Sequence, residues 1–189
     1  NGVRDVIAQK VDKNGNNLWD KDGIVVVNAS GRQEDPQLVT DGAGGAYIIW
    51  MDYKDEPDPI GDIYAQHVDS NGNLEWGEEG RALTNQPGRQ GKPNICSDGA
   101  NGAYVIWEDY STGTGSSYGD VYATHLSSQV IIAEGLGVPI VTYQANRENI
   151  SLEGGSGDAV LVWSDDRNTN HETQDFWDLY AQRISIGSS

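Results

Sequence analysis

Three acidic segments of the chain carry the side chains best suited to hold a metal ion. They span 52–62, 109–120 and 165–178 and read DYKDEPDPIGD, DYSTGTGSSYGD and DDRNTNHETQDFWD. Carboxylates among neutral oxygen donors suit Ca²⁺, which takes about 6–8 oxygen ligands. One cysteine and three scattered histidines suit zinc or iron poorly. We therefore predict calcium and no other cofactor, on carboxylates of the third segment: Asp165, Asp166, Asp175 and Asp178.

The same segments place aromatic rings among polar neighbours. Such rings can stack on the faces of sugars. Function also tends to occupy long loops on a rigid scaffold. We therefore predict that the face formed by these loops binds a glycan or protein partner. The ligand-binding candidates are aromatic residues of these loops: Tyr53, Tyr110, Tyr118, Phe176 and Trp177.

A turn role is the alternative for several aspartates. One set follows a strand tryptophan by two residues and consists of Asp52, Asp109 and Asp165. The other set opens the next strand and consists of Asp62, Asp120 and Asp178. An Asp that recurs in every repeat is typical of turns and caps, where it bonds backbone N–H groups. The segments DKNGNN and DSNGNL lack the rest of a calcium loop and are interpreted as hairpin turns.

No catalytic residue is predicted. Nucleophilic catalysis needs a base beside its nucleophile, and nothing near Cys96 provides one, so we expect a buried, inert thiol. His67 and His125 share a repeat position that holds Lys10 and Arg183 in the other copies, which indicates a solvated strand face. The many acids single out no carboxylate pair for glycoside hydrolysis.

Charge excludes two classes of partner. The formal net charge is −17, from 12 Lys and Arg against 29 Asp and Glu. Nucleic acids and anionic membranes need a basic surface, so neither is expected as a partner. No apolar run approaches the roughly 20 residues that span a bilayer.

Internal repetition decides the architecture. One block reads DVIAQKV from Asp5, DIYAQHV from Asp62, DVYATHL from Asp120 and DLYAQRI from Asp178, at spacings of 57, 58 and 58 residues. A second block recurs between these copies, as DPQLVTDGAGGAYIIWMD, KPNICSDGANGAYVIWED and the degenerate NISLEGGSGDAVLVWSD. Two blocks in one order three times indicate a tandem repeat.

Each period predicts four short strands. The first strands are Pro36–Thr40 and Pro93–Ser97, followed by Asp-Gly turns. The second strands end at tryptophans expected to be buried at equivalent places: Trp50, Trp107 and Trp163. A long loop leads to a third strand such as Asp62–Val68. An Asn-Gly turn then leads to a fourth strand around Trp19 or Trp76.

Four antiparallel strands per repeat favour an all-β fold of β-propeller blades. An array of β-sandwiches is the alternative, but such units need about 100 residues each. The repeats span approximately 5–61, 62–119 and 120–177, with a partial copy at 178–189. Counted in blade order from Asp5, the chain holds the third and fourth strands of one blade, two whole blades and three strands of another. We therefore expect further blades or a second chain to complete the ring, through edges near Val6–Val11 and Leu179–Ile184.

These motifs carry a family resemblance. The combination of W-x-D, a polar loop, D-(I/V)-Y-A-Q, an Asn-Gly turn, Trp and DGxGGAYxxW resembles the repeats of secreted and surface-displayed bacterial and archaeal propeller proteins. It is more distantly similar to TolB-like and sialidase-like propellers, although the sialidase Asp-box spacing is not matched. The resemblance implies an extracellular or cell-surface location and a scaffold or recognition role.

Two functional hypotheses follow. The first is an extracellular repeat module for recognition, adhesion or structural display, without catalysis by this segment. The alternative is a fragment of a sialidase-like or other glycan-active propeller enzyme. An enzyme would break the repeat symmetry with unique polar residues. The first two copies are nearly equivalent, whereas the third is irregular.

Overall fold

Thirteen β-strands and no helix are found in the part of the chain that the computed structural model describes, residues 5–53, 61–111, 119–143, 145–168 and 177–187. The strands are β1 (Val6–Ala8), β2 (Ile24–Val27), β3 (Arg32–Thr40), β4 (Ala46–Tyr53), β5 (Asp62–Val68), β6 (Arg81–Ala82), β7 (Gln90–Ser97), β8 (Ala103–Asp109), β9 (Asp120–Leu126), β10 (Val138–Val141), β11 (Arg147–Gly155), β12 (Asp158–Asp165) and β13 (Asp178–Ile184). These residues include no helix able to cross a membrane. The predicted all-β class is confirmed.

The strands form four antiparallel sheets in which consecutive strands are neighbours. We call them the two-stranded sheet (β1–β2), the first four-stranded sheet (β3–β6), the second four-stranded sheet (β7–β10) and the three-stranded sheet (β11–β13). None of the four closes on itself. This grouping of strands is the one that the repeats predict.

The fourth strands lie farther along the chain than predicted. β2 and β6 begin five residues after Trp19 and Trp76, so the prediction of strands around these tryptophans is wrong. Each tryptophan lies in a turn, where its backbone N–H donates to a glutamine side chain of the repeat. The donor-to-acceptor distances are 3.3 Å from Trp19 to Gln9 and 2.9 Å from Trp76 to Gln66. The glutamine oxygen replaces the strand partner that this N–H would otherwise need.

The first strand of each larger sheet contains a β-bulge at the same repeat position. The pairing register shifts once in β3, β7 and β11. A non-glycine residue with positive φ lies at each shift: Asp35 at 53°, Lys92 at 51° and Asn149 at 54°. The bulge accommodates Pro36 and Pro93, which have no N–H to donate. The first strands therefore begin before these prolines rather than at them.

The tryptophans of the second strands are buried at equivalent places, as predicted. Trp50, Trp107 and Trp163 are 0, 1 and 4 % exposed. Each ring stacks on the tyrosine opposite it on the third strand, with centroids 6.0, 6.2 and 5.8 Å apart. Such aromatic pairs contribute about 0.5–1.5 kcal/mol beyond the burial of their surface.

Neighbouring sheets pack face to face. Three hydrophobic clusters join the successive sheets in chain order, so both faces of β4 and β8 are buried. Burial alternates along β12, and the outer face of the three-stranded sheet exposes Val160 and Leu179. The first strands also contact one another, β3 with β7 and β7 with β11.

A tyrosine hydroxyl joins each four-stranded sheet to the turn of the next sheet. Tyr47 donates to the carbonyl of Asn101 at 3.0 Å, and Tyr104 donates to the carbonyl of Gly157 at 2.8 Å. The two tyrosines occupy the same repeat position. The face-to-face packing is therefore accompanied by a directional polar contact at each of these two interfaces.

An Asp–His pair holds each of the two Asp-Gly turns that follow β3 and β7, and the first of these pairs is buried. The Nε2 atom of His67 lies 3.0 Å from the carboxylate of Asp41, and that of His125 lies 2.8 Å from Asp98. His67 is only 7 % exposed, so the prediction of a solvated strand face is wrong at this position. The ring of Tyr47 covers that of His67 with centroids 4.6 Å apart.

The single cysteine faces the three-stranded sheet. Cys96 is buried in the cluster that joins this sheet to the second four-stranded sheet. Burial raises the pKa of its thiol to about 11. The prediction of a buried thiol is confirmed.

Gly137→Ala tests the contact between the fourth strand and the tryptophan. An added methyl would lie 2.4 Å from the ring of Trp107, at a φ of +74°. Gly77→Ala is the control, because its φ is +81° but nothing lies within 4 Å of its methyl. Strain at positive φ costs about 1–2 kcal/mol, and overpacking adds about 1–3 kcal/mol. Urea denaturation should show that Gly137→Ala lowers the free energy of unfolding clearly more than Gly77→Ala does. Equal decreases would contradict the packing of Gly137 against Trp107.

Asp41→Asn tests the Asp–His pair. Burial alone would raise the pKa of Asp41, but hydrogen bonds from His67, Ala43 and Gly45 hold it below its ordinary value. The carboxylate therefore stabilises the fold above its ordinary pKa, and this contribution is lost as the pH falls through the lower folded-state pKa. We expect Asp41→Asn to lower the free energy of unfolding by about 1–3 kcal/mol at neutral pH.

The difference in the free energy of unfolding between wild type and Asp41→Asn should become smaller below about pH 4, near the ordinary pKa of an aspartate. Urea denaturation at neutral and acidic pH measures it. Asp12→Asn, which changes an exposed turn carboxylate, should have a smaller effect. A loss from Asp41→Asn that does not depend on pH would contradict the role of the charge.

Candidate functional site

A cleft opens between the second four-stranded sheet and the three-stranded sheet. Its volume is about 280 Å³, just below the roughly 300–1,000 Å³ typical of small-molecule sites. Its lining comes from the bulge of β7, the end of β8, the start of β11 and the segments that precede β9 and β13. The cleft therefore lies where the long loops begin, on the face predicted to bind a partner.

Glu108 is a buried carboxylate of the cleft, 3 % exposed. One of its oxygens accepts a hydrogen bond from Lys92 Nζ at 3.0 Å, and the other accepts a short hydrogen bond from the Tyr110 hydroxyl. Burial and the neighbouring Glu108 carboxylate raise the pKa of Tyr110. At neutral pH the tyrosine is therefore the donor of this pair.

Arg147 brings a buried positive charge to the same cleft. It is 8 % exposed, and its two Nη atoms donate to the carbonyls of Gly119 and Tyr143. Its buried Nε atom has no hydrogen-bond partner among the described residues. Burial lowers the pKa of Arg147 against the attraction of Asp120 and Asp165, but a guanidinium stays charged at neutral pH.

A glycine positions the tyrosine in each of the first two repeats. A methyl on Gly119 would lie 3.0 Å from the ring of Tyr110, and one on Gly61 would lie 2.8 Å from the ring of Tyr53. The missing side chain lets each ring lie against the start of the third strand. Tyr53 is thus the counterpart of Tyr110 one sheet earlier, where the guanidinium of Arg32 covers its ring at 4.4 Å.

Two of the five predicted aromatic residues meet in the cleft. Tyr110 and Trp177 both line it, and Trp177 is 40 % exposed. Tyr53 lies outside it. Tyr118 and Phe176 lie outside the described residues. The structure thus provides one exposed indole beside a set of polar and charged side chains.

The recurring aspartates are buried and engaged. Asp52, Asp109 and Asp165 are 2, 3 and 0 % exposed. Asp109 accepts the backbone N–H of Ser111 at 2.7 Å, which is the turn role considered above. The carboxylate of Asp165 accepts hydrogen bonds from Trp163 Nε1, the Tyr143 hydroxyl and the guanidinium of Arg167.

The other carboxylates proposed for calcium have protein partners as well. Asp166 accepts two hydrogen bonds from Asn146, at 2.9 and 2.6 Å. Asp178 accepts one from Asn168 Nδ2 at 3.0 Å. Asp175 lies outside the described residues, and the described ones contain no group of three or more His, Cys, Asp or Glu side chains that could hold a metal ion. Calcium binding by 165–178 stays a prediction.

Sequence reasoning missed the charged residues of the cleft. Glu108 occupies the repeat position of Met51, and Arg147 that of the buried Gln33. Their signal was present in the repeat itself, since a charge at a position that is apolar or neutral in another copy marks a departure from symmetry. Both departures lie at the interface that forms the cleft.

Comparison with known proteins does not assign the chain to a family. No protein-family model matches it, and no curated protein matches it significantly.

Glu108→Gln tests the electrostatics of the cleft. Removing the negative charge should lower the pKa of Tyr110 towards the ordinary value of about 10, although burial will keep it somewhat higher. Phenolate absorbance as a function of pH measures this change, and Tyr110→Phe identifies which part of the titration belongs to Tyr110. A titration unchanged by Glu108→Gln would contradict the influence of the Glu108 charge on Tyr110.

Proposed function

We propose that the chain is a β-propeller segment of an extracellular or cell-surface protein and that the cleft on its long-loop face binds carbohydrate. The segment would serve recognition or adhesion and would itself carry out no catalysis. The proposal of an extracellular location rests on the repeat motifs and their resemblance to secreted and surface-displayed propellers. The ligand class follows from the cleft.

The packing of the sheets supports the propeller part of this proposal. Propeller blades are four-stranded sheets arranged around a central channel. Here successive sheets pack face to face, and the first strands β3, β7 and β11 contact each other in sequence. This is the order expected if the first strands lie nearest a common axis. Closed propellers have about 4–8 blades of four strands each, and only two of the four sheets described here have four strands, so a ring would need further strands.

The exposed indole of Trp177 is the observation that carries the carbohydrate proposal. It lies at a cleft that also contains Lys92, Glu108 and Arg147. An aromatic face can stack on the apolar face of a sugar ring, while carboxylate, ammonium and amide groups bond its hydroxyls. The mixture of both charges favours a neutral, hydroxyl-rich ligand over a highly charged one.

A glycan-active enzyme fragment is the second candidate. The observation that favours it is the broken symmetry of the third repeat, where Arg147 introduces a charge at the position of the neutral Gln33 and Gln90. Incubation of a bound oligosaccharide with the protein, followed by detection of new reducing ends, separates the two candidates. Hydrolysis that disappears in Glu108→Gln would favour the enzyme.

Trp177→Ala tests carbohydrate recognition. A panel of oligosaccharides is screened for binding, and the affinity of the best ligand is measured by calorimetry. Truncating an aromatic residue at the centre of a binding site typically costs more than about 1 kcal/mol, so we expect Trp177→Ala to weaken binding about fivefold or more. Because Trp177 is exposed, the variant should fold like the wild type.

Tyr110→Ala and Tyr53→Ala form a matched pair. The two tyrosines occupy the same repeat position, but only Tyr110 lines the cleft. Tyr110→Ala should weaken binding, and Tyr53→Ala should leave it unchanged. Equal losses from both variants, or unchanged binding by Trp177→Ala, would place the site elsewhere.

A further inference from the structure

An apolar groove of about 250 Å³ lies between the two-stranded sheet and the first four-stranded sheet. One wall includes Lys10 and Trp19, and the other includes Leu38, Ala46 and Ile48. Leu38 is 59 % exposed there. The groove is distinct from the cleft described above and lies at the other end of the series of sheets.

The same space is filled one repeat further along the chain. The counterparts of Leu38, Ala46 and Ile48 are Ile95, Ala103 and Val105, which are buried in the cluster that contains Tyr47. The Tyr47 ring lies 4.6 Å from that of His67 and 5.8 Å from that of Trp76. His67 and Trp76 are the counterparts of Lys10 and Trp19. One tyrosine of the second strand therefore occupies the equivalent site.

The next interface repeats this arrangement. Tyr104 is buried at 1 % exposure against the three-stranded sheet, with its ring centroid 4.7 Å from that of His125. Its hydroxyl reaches the turn of that sheet at Gly157. At both of these interfaces a tyrosine of the second strand thus fills the site that is open in the groove.

The polar end of the groove fits the same hydroxyl. Asn101, whose carbonyl accepts the Tyr47 hydroxyl, has Gly44 as its counterpart in the preceding turn. In the groove, Lys10 Nζ donates to the Gly44 carbonyl at 2.7 Å. This carbonyl has a second lone pair that a tyrosine hydroxyl can use.

The strand edge beside the groove fits a strand partner. β1 pairs with β2 on one side, and no described strand pairs with its other side. In the larger sheets this side is occupied by the second strand, as β4 occupies it beside β5. An edge with unpaired backbone groups accepts an added strand.

We propose that this groove is a docking site for a two-stranded β-hairpin of the repeat type, carried by a further repeat. Its second strand would pair with β1, and its tyrosine would fill the groove and donate to Gly44. This inference does not depend on carbohydrate recognition, but it rests on the proposal that the chain belongs to a longer series of repeats. The contacts at the two filled interfaces specify the occupant.

A second copy of the chain fits the groove less well. The exposed face of the three-stranded sheet has Val160 where the four-stranded sheets have the tyrosine. That sheet also carries β13 in the place that β1 occupies in the two-stranded sheet, so the two strands would compete for one position.

The test uses a fluorescent peptide with the sequence of residues 89–110, which carries Tyr104, titrated with the whole chain in reducing buffer. Fluorescence anisotropy should show saturable binding. Leu38→Glu puts a charge into the apolar groove at an exposed position and should weaken binding at least tenfold. Leu179→Glu is the matched control at the opposite end and should bind like the wild type. A Tyr104→Phe peptide should bind several-fold more weakly.

A tethered variant covers the case in which the free hairpin does not fold. Residues 32–61 are joined in front of Asp5, which reproduces the natural junction between 61 and 62. The tethered chain should melt at a higher temperature than the wild type, and Leu38→Glu should remove that gain. Stabilisation of the tethered chain supports the proposal even without binding of the peptide.

Three results would overturn the proposal. One is an absence of both peptide binding and stabilisation by the tethered hairpin. Another is peptide binding that Leu38→Glu does not weaken. The third is sedimentation of the wild-type chain as a dimer that Leu38→Glu dissociates, which would assign the groove to a second copy.

Discussion

Each four-stranded sheet of this chain depends on the sheets on both sides of it to bury its second strand. β4 and β8 are buried on both faces, and one sheet supplies cover for only one side of the next. A repeat unit that cannot bury its own apolar surface gains stability by stacking. The tryptophan and its tyrosine partner recur in all three larger sheets. A glycine lies against the tryptophan ring in two of them, Gly80 beside Trp50 and Gly137 beside Trp107. The groove lies at the first interface in this series of sheets, and the cleft lies at the last one.

The repeat let the sequence predict the strands and their grouping, because alternating blocks and turn residues are local signals. The buried positions of Trp50, Trp107 and Trp163 followed in the same way. The fourth strands were misplaced because Gln9 and Gln66 hold the tryptophan turns through side-chain hydrogen bonds that resemble no strand or turn motif. His67 was assigned to a solvated face because Lys10 and Arg183 share its position, although a tyrosine covers it here.

The candidate site was harder to predict for a physical reason. The sequence identified the loop face, Tyr110 and Trp177 from composition and spacing. Glu108 and Arg147 come from different sheets and become neighbours of the cleft only when the two sheets pack. A charge that is buried at an interface looks like an ordinary surface charge in the sequence until its repeat counterpart, such as Met51, is compared with it.

The charged residues of the cleft also distinguish one interface from another. Where Met51 packs between the two four-stranded sheets, Glu108 lies between the second four-stranded sheet and the three-stranded sheet. Burying charge gains little net stability unless each partner is satisfied. Its effect here is to make two otherwise similar interfaces chemically different.

The buried thiol can report on the opening of the interface between the second four-stranded sheet and the three-stranded sheet. Cys96 is the only cysteine of the chain, and it is enclosed between the second four-stranded sheet and the three-stranded sheet. Thiol reagents react with the exposed thiolate, and here the thiol is both covered and, with a pKa of about 11, protonated. Alkylation of Cys96 therefore requires the two sheets to separate, and its rate reports how often they do. A molecule that bridges the cleft would hold the same two sheets together and lower the rate of Cys96 alkylation.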